Sequence, residues 1–550
     1  MPTRPLAALA LAAALTTALV ASAPPARACG GLFCSVPQGP VPPEPVDQSA
    51  ERILFVVNDD GTLTAHVQIQ YAGGASSFAW VVPVPSVAIV EESSAAVVGA
   101  FDATTAPTVT LPQPEPCAFA NSAPQSNACG GCGASDAAGG ALAAPRTPED
   151  GESPVTVYAH DFTDNYEYTV LGADDTATLV TWLQDNGYNV SSNMTPVMDP
   201  YNQPGAKFLA LKLRDGKDAS DIVPIAMTFE GTEPMVPIRL TRVAAQPLMG
   251  IQITILARTP FRPKPPYTSA LLDADDLTFG GDGATNYFAV VARRAAEAQG
   301  RFFSQEFVDT VFMDFDRLHL DGSPRVVSRW YTRMSPEDMT ADPEFVADDA
   351  FPLGRLRLDF SARTTLWDCS AANVLTDRLP SPCAFEYCGR DATCAELDGA
   401  AACACPTGHV AQGIRGPDGA PRVTCVPATN PVGVTDAAGG AGTAFDPCAS
   451  FACGAGTCVL RGGFPTCACD LGAVAAYAPG GAVTCTVPTG TPRTFGPGGG
   501  AESAGLVLPR FARPSRTAAP WLFPLFALAF VLGSAWSWRR GAQQRTPPAP

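Results

Sequence analysis

A chain of 550 residues with 53 acidic and 35 basic side chains carries a formal charge of −18, and no basic stripe interrupts it. Nucleic acid is excluded as a partner, because phosphate backbones are held by clustered cations. The length allows roughly two to four domains. The 46% hydrophobic fraction is enough for a real core, and the 18 cysteines are an even number, as complete pairing requires.

The N-terminus bears on the state of those cysteines. Arg4 precedes the apolar run "LAALALAAALTTALVASA", and Ala26-Arg27-Ala28 follows. A charged start, an apolar stretch and a small-residue cleavage site predict a signal peptide over 1–28. Cleavage there makes Cys29 the first mature residue, although "PARAC" lacks the aliphatic residue expected before a lipidated cysteine. Export exposes the cysteines to oxidising conditions and favours disulfides over zinc.

The bulk of the chain, 29–368, reads as an α+β domain with a mainly antiparallel sheet and a few helices. In "RILFVVNDDGTLTAHVQIQY", Leu63, Ala65, Val67, Ile69 and Tyr71 alternate with Thr64, His66, Gln68 and Gln70, and Asn58-Asp59-Asp60-Gly61 supplies the turn of a hairpin. His66 is thereby expected on a solvated polar face. Pro83 and Pro85 in "FAWVVPVP" mark a strand end or an edge. "GADDTATLVTWLQDNGY" predicts a helix capped by Asp174 or Asp175, stopped at Asn186-Gly187, with Leu179, Val180 and Leu183 inward. Extended segments follow at "KFLALKL", "IVPIAMTFE" and "GIQITILA"; in the last, Ile251, Ile253 and Ile255 alternate with Gln252 and Thr254. "ATNYFAVVARRAAEAQG" reads as a second helix, and "SQEFVDTVFMDF" is compatible with a third.

Residues 106–153, rich in Pro, Gly, Ala and Ser, read as a flexible insert carrying Cys117 and Cys129-Gly-Gly-Cys132. A C-x-x-C pair can be redox-active, but a Gly-rich loop offers no helix N-terminus to position a thiol, so a structural Cys129–Cys132 bond is favoured. Asp273, Asp275, Asp276 and Asp282 in "DADDLTFGGDG" offer hard oxygens, yet the EF-hand pattern fails and a solvated loop is expected. The four histidines, His66, His160, His319 and His409, stand in no metal-ligand spacing, and no nucleophile elbow or P-loop is present. No catalytic, metal or cofactor-binding residue is assigned, and no cofactor is expected.

"CGGLFC", "PVDQSAERILFVV", "AHVQIQYAGGASSFAWVVPVPS", "LVTWLQDNGY", "FLALKL" and "YTRMSPEDMTADPEF" together resemble the DUF2330 family over about Cys29 to Asp368. The resemblance implies an exported, often surface-anchored bacterial protein and carries no established activity.

Two cysteine sets follow. Cys383 to Cys425 reads C-x4-C-x5-C-x8-C-x-C-x19-C, and Cys448 to Cys485 reads C-x4-C-x4-C-x8-C-x-C-x15-C. The same frame twice is an internal repeat. Spacing alone leaves about fifteen connectivities per set. The frame resembles the EGF-like module, and that resemblance implies Cys383–Cys394, Cys388–Cys403, Cys405–Cys425, Cys448–Cys458, Cys453–Cys467 and Cys469–Cys485. Neither set carries the acidic cluster of the calcium-binding class. Cys29–Cys34 is a further expected bond, and the partners of Cys117 and Cys369 stay open. Gly/Pro/Ala-rich stretches at 426–447 and 486–517 read as linkers.

Ala518 to Trp538 holds no charged residue and is long enough to span a bilayer. Trp521, Trp536 and Trp538 sit near its ends, and Arg539 and Arg540 place the tail 539–550 on the cytoplasmic side. The expected molecule is a single-pass envelope protein whose ectodomain binds or scaffolds an extracytoplasmic partner. An envelope hydrolase with an unrecognised site, and a thiol-disulfide protein using Cys129 and Cys132, are the alternatives.

Overall fold

The computed structural model describes residues 47–72, 79–112, 154–188, 190, 194–217, 221–280, 284–313, 318, 320–363, 366–368, 374–376, 380–416, 419–429, 448–449, 451–461, 464–478, 481–489 and 494–495. They are mostly β-sheet with few helices. β1 (Asp47–Val57) and β2 (Thr62–Ala72) form a hairpin. Its turn works because Gly61 accepts a φ of +87° and Asp60 accepts a 3.0 Å hydrogen bond from the Thr62 amide. Then come β3 (Ala79–Val84), β4 (Ile89–Glu92), helix α1 (Ala95–Thr105), β5 (Thr108–Thr110), β6 (Val155–Phe162), β7 (Tyr166–Ala173), helix α2 (Thr176–Asp185), β8 (Lys207–Leu213), β9 (Ile225–Glu230), β10 (Ala245–Ala257), β11 (Phe261–Pro263) and β12 (Thr268–Ala270). Helix α3 (Tyr287–Glu297), β13 (Phe302–Val311), β14 (Arg325–Met334), β15 (Phe345–Ala347), β16 (Gly354–Arg355) and β17 (Arg357–Asp359) follow.

These strands build a nine-stranded sheet, ordered β12-β13-β14-β10-β1-β2-β9-β4 with β16 on β13, and a four-stranded sheet, β3-β8-β7-β6. Ile53, Phe55, Ala65, Val67 and Ile253 on the large sheet pack against Trp80, Val82, Tyr168, Val170 and Leu209 on the small one. α2 covers the outer face of the small sheet through Leu179, Val180 and Leu183 against Val81, Leu171 and Phe208. α1 and α3 cover the outer face of the large sheet, through Val97 and Phe101 and through Val290 and Val291. The core is thus a sandwich of two sheets faced by helices on both sides.

The large sheet is mainly antiparallel, with two parallel pairings that local signals do not announce: β1 with β10 and β12 with β13. β10 reaches β1 only after the small sheet has been threaded, so no tight turn dictates its direction. "SQEFVDTVFMDF" is no helix where it is described; Ser304 to Val311 lie in β13, paired with β14. Val308, Thr310 and Val311 suit a strand, and the ladder of β14 decides between two local options. Gln252 and Thr254, which alternate with the core isoleucines, are buried as well, because α1 lies over the central strands. The Pro83 expectation agrees with the structure: among the described residues β3 is an edge strand, paired with β8 alone.

The insert read over 106–153 begins in order, since β5 pairs in parallel with β17; 113–153 lies outside the described residues. A ribbon of β18 (Leu366–Asp368) and β19 (Val374–Thr376) precedes the cysteine-rich region. There β20 (Thr393–Leu397) and β21 (Ala400–Ala404) turn on Asp398-Gly399, both at positive φ as a two-residue hairpin demands. β22 (His409–Arg415) and β23 (Pro421–Pro427) complete the first module. β24 (Gly456–Arg461), β25 (Phe464–Cys469), β26 (Val474–Tyr477) and β27 (Val483–Thr486) form the second.

Each sheet takes one hairpin from each module: one sheet runs β27-β26-β21-β20-β28 and the other β23-β22-β25-β24, where β28 is Thr494–Phe495. Cys403 pairs with Ala475 and Ala411 with Cys467 across the boundary, so a single disulfide-rich core joins both modules. The stretch 486–517 is therefore not all linker, because Thr494–Phe495 adds a strand to the first module.

Candidate functional site

The sheet register brings together one pair that linear inspection misses. His66 lies opposite Ala226 on β9, and Ala226 lies opposite Glu91 on β4. The chain leaves β4 at Glu92, Ser93 follows, and Ser94 caps α1 with its hydroxyl accepting from the Ala96 amide. Ser93 Oγ and His66 Nδ1 are then hydrogen-bonded at 2.7 Å. The pair lines a cleft of about 360 Å³ shared with Asn58, Thr64, Glu91 and Thr228. Burial pushes the His66 imidazole down to about 4, so it is neutral at physiological pH. The expectation of a solvated His66 is thus overturned: the turn into α1 closes over that end of the polar face. Glu92 also lines the cleft but is engaged elsewhere: it accepts from Thr163 Oγ1 at 2.7 Å and from the Asn165 amide at 2.6 Å.

The same sheet face carries a buried charge network further along. Arg329 donates to Glu306 at 2.5 Å, Asp102 at 2.9 Å and Gln252 at 3.0 Å, and Tyr287 donates to Glu306 at 2.8 Å. These bonds clamp α1 and α3 onto β10, β13 and β14. Arg52 adds a second cation on Asp102 at 3.1 Å, so two cations face the two carboxylates, which is the condition for burying them.

Between the two sheets, an apolar groove of about 510 Å³ is lined by Trp80, Pro83, Pro85, Tyr201 and Phe229. A further cavity, about 450 Å³, lies where the large domain meets the first cysteine module. Its seam is built by a bulge in β10, where a two-residue advance from Gln48 to Ala50 on β1 faces a five-residue advance from Ala245 to Gly250. Leu248 on that bulge sits at φ +56°, a conformation that L residues adopt at a cost, and packs with Ala292, Ile414 and Tyr387 across the seam. Around it, Arg461 pairs with Glu337, Arg390 with Asp338, and Asn286 donates to the Ala384 carbonyl at 3.3 Å.

The twelve cysteines of the modules form Cys383–Cys394, Cys388–Cys403, Cys405–Cys425, Cys448–Cys458, Cys453–Cys467 and Cys469–Cys485. Their Cα separations run from 5.3 to 5.7 Å, the ordinary range for a bridge. Cys29, Cys34, Cys117, Cys129, Cys132 and Cys369 lie outside the described residues, as do His319, Asp282 and the segment Ala518–Trp538. Asp273 caps a short turn, Asp276 pairs with Arg294 at 3.2 Å, and Asp275 approaches Arg363 at 3.8 Å. No group of three or more His, Cys, Asp or Glu suited to a metal occurs among the described residues. Among them, no helix is long and apolar enough to cross a membrane. His160 hydrogen-bonds Thr169 at 3.0 Å, and His409 lies on β22, so neither joins the His66 cleft.

A mutated baculovirus P35 after caspase cleavage is similar at 6% identity over 55% of this chain and 100% of that one, but a TM-score of 0.23 carries no argument. No curated protein matches. The family described as "Uncharacterized protein conserved in bacteria (DUF2330)" matches residues 24–317, just over half of the chain. β14, beyond the matched end, sits between β13 and β10, so the fold continues past it. The chain belongs to the DUF2330 family of bacterial proteins.

Proposed function

We propose that this chain is an exported, single-pass envelope protein that binds or scaffolds a partner outside the cytoplasmic membrane, and that its two disulfide-rich modules are EGF-like. One observation carries the binding reading: the modules share sheets with each other and are docked on the large domain by the largely buried Arg461–Glu337 pair and the more exposed Arg390–Asp338 pair. Such a body presents a stiff surface, and its charges are used in internal ties rather than gathered on a reacting centre. The signal-like segment 1–28 and the apolar segment 518–538 followed by Arg539 and Arg540 support export and anchoring.

Deleting 518–550 should release the protein from membranes, and a tag after Pro550 should resist external protease. Persistent attachment after the deletion would point to lipidation at Cys29. For the binding reading, a photo-crosslinker at Leu471, fully exposed on the second module, should give a discrete adduct in intact cells. Absence of any adduct there and at exposed Val487 counts against scaffolding.

A hydrolase reading has the Ser93–His66 contact in its favour. It ranks second, because an imidazole held at about 4 is a weak base. Covalent labelling of Ser93 by a fluorophosphonate would reverse that order.

A further inference from the structure

We propose that the cavity between the large domain and the first module binds a small monocarboxylate with an aromatic or aliphatic body, held by Arg333. This deepens the binding reading above and rests on it. Arg333 is only 6% exposed and lines the cavity. No carboxylate pairs with it among the described residues. Its guanidinium lies 5.8 Å from the Phe288 ring centroid, and the Tyr331 hydroxyl is within reach of its charge and of a hydrogen bond from it. An aromatic face and a hydroxyl are weak compensation for a buried cation.

The neighbouring acids are already engaged. Glu337 meets Arg461, Asp338 meets Arg390, and Glu386 meets Arg422 at 2.7 Å. Asn286 is engaged too, accepting from the Thr278 amide at 2.8 Å and donating to Ala384. Among the described residues, Arg333 is therefore left without a carboxylate at this cavity. The walls beside it, Phe288, Ala289, Ala292, Leu248 and Ile414, are apolar. A volume of about 450 Å³ lies within the range of small-molecule sites. One planar fork with apolar surroundings suits one carboxylate, which it grips with two parallel hydrogen bonds. The second arginine of the lining, Arg422, is already matched by Glu386, so a doubly charged phosphate would bury its second charge beside a neutralised pair.

The test is calorimetry on the oxidised full chain with 3-phenylpropionate, 1-naphthylacetate and decanoate, each beside its neutral amide. At least one acid should bind at one site, with its amide weaker by about tenfold or more. Arg333→Gln should lower that affinity by a similar factor, and Arg333→Lys should restore part of it. Ala289→Leu leaves the cation in place, and should weaken 1-naphthylacetate more than 3-phenylpropionate by filling the wall. It keeps the test valid if Arg333→Gln fails to fold. Equal binding of acid and amide, or undiminished binding by a folded Arg333→Gln chain, overturns the proposal. So does failure of all three acids to bind. If that failure occurs while the Leu471 crosslink persists, the carboxylate site falls alone; loss of the crosslink with acid binding intact overturns the scaffold reading instead.

Discussion

Arg461 of the second module reaches across to Glu337 of the large domain, with side-chain exposures of 7% and 19%. The same guanidinium donates to the Pro427 carbonyl at 2.9 Å and to Gln412 at 3.1 Å in the first module. One side chain thus ties three parts of the chain together.

Removing Glu337 leaves the buried Arg461 guanidinium without its carboxylate, and removing Arg461 leaves the Glu337 carboxylate without its cation. Glu337→Gln should cost about 2–3 kcal/mol of docking stability. Proteolysis between the large domain and the modules should speed up accordingly. Adding Arg461→Gln to Glu337→Gln should cost less than the two single changes summed, because the pair is one interaction. Full additivity would mean that the contact carries no coupling.

The two modules should unfold as one unit. A Cβ on Gly413 of β22 would lie 2.3 Å from the Tyr477 hydroxyl on β26 and 3.1 Å from Val483. Gly413→Ala should therefore destabilise both modules by about 1–3 kcal/mol, the usual cost of overpacking. Hydrogen exchange should rise in β22 and β26 together, and Tyr477→Phe should recover part of the loss. A rise confined to β22 would separate the modules.

His66 predicts a defined acid sensitivity. Its folded value of about 4 lies below the ordinary 6.5, so the unfolded chain binds the extra proton first. The stability it contributes is complete above pH 6.5, is lost as pH falls toward 4, and stays lost below. The full swing amounts to about 3 kcal/mol. Denaturant titrations across that window should show the slope in the native chain and lose it in His66→Gln.

Asp59 predicts a second window at lower pH. Hydrogen bonds from Arg258 and Arg325 hold its carboxyl well below the usual range. Its contribution is present above about pH 4 and fades as pH falls. Arg325 is fully buried but Asp59 is 49% exposed, so water screens the pair and the effect is reduced. Asp59→Asn should cost about 1 kcal/mol at pH 7 and flatten the stability curve below pH 4. An unchanged acid limb would assign the loss to other carboxylates.

Local signals carried much of the fold. The hairpin of β1 and β2, the edge position of Pro83, and α2 with its Asp175 cap and buried Leu179, Val180 and Leu183 were all legible, because turn chemistry, capping and periodicity act within a few residues. What acts at a distance was not legible. The parallel pairing of β1 with β10 joins residues about two hundred positions apart, and β13 became a strand only because β14 lies beside it. His66 was buried by a turn that its own strand does not encode, which is how it comes to meet Ser93. The cysteine frame announced two similar modules, but their interleaved sheets follow from cross-module pairs such as Ala411 with Cys467. The Arg333 cavity is the extreme case, since its walls come from β10, α3, β14 and the first module, and a cation is seen to lack a carboxylate among the described residues only once those elements have closed around it.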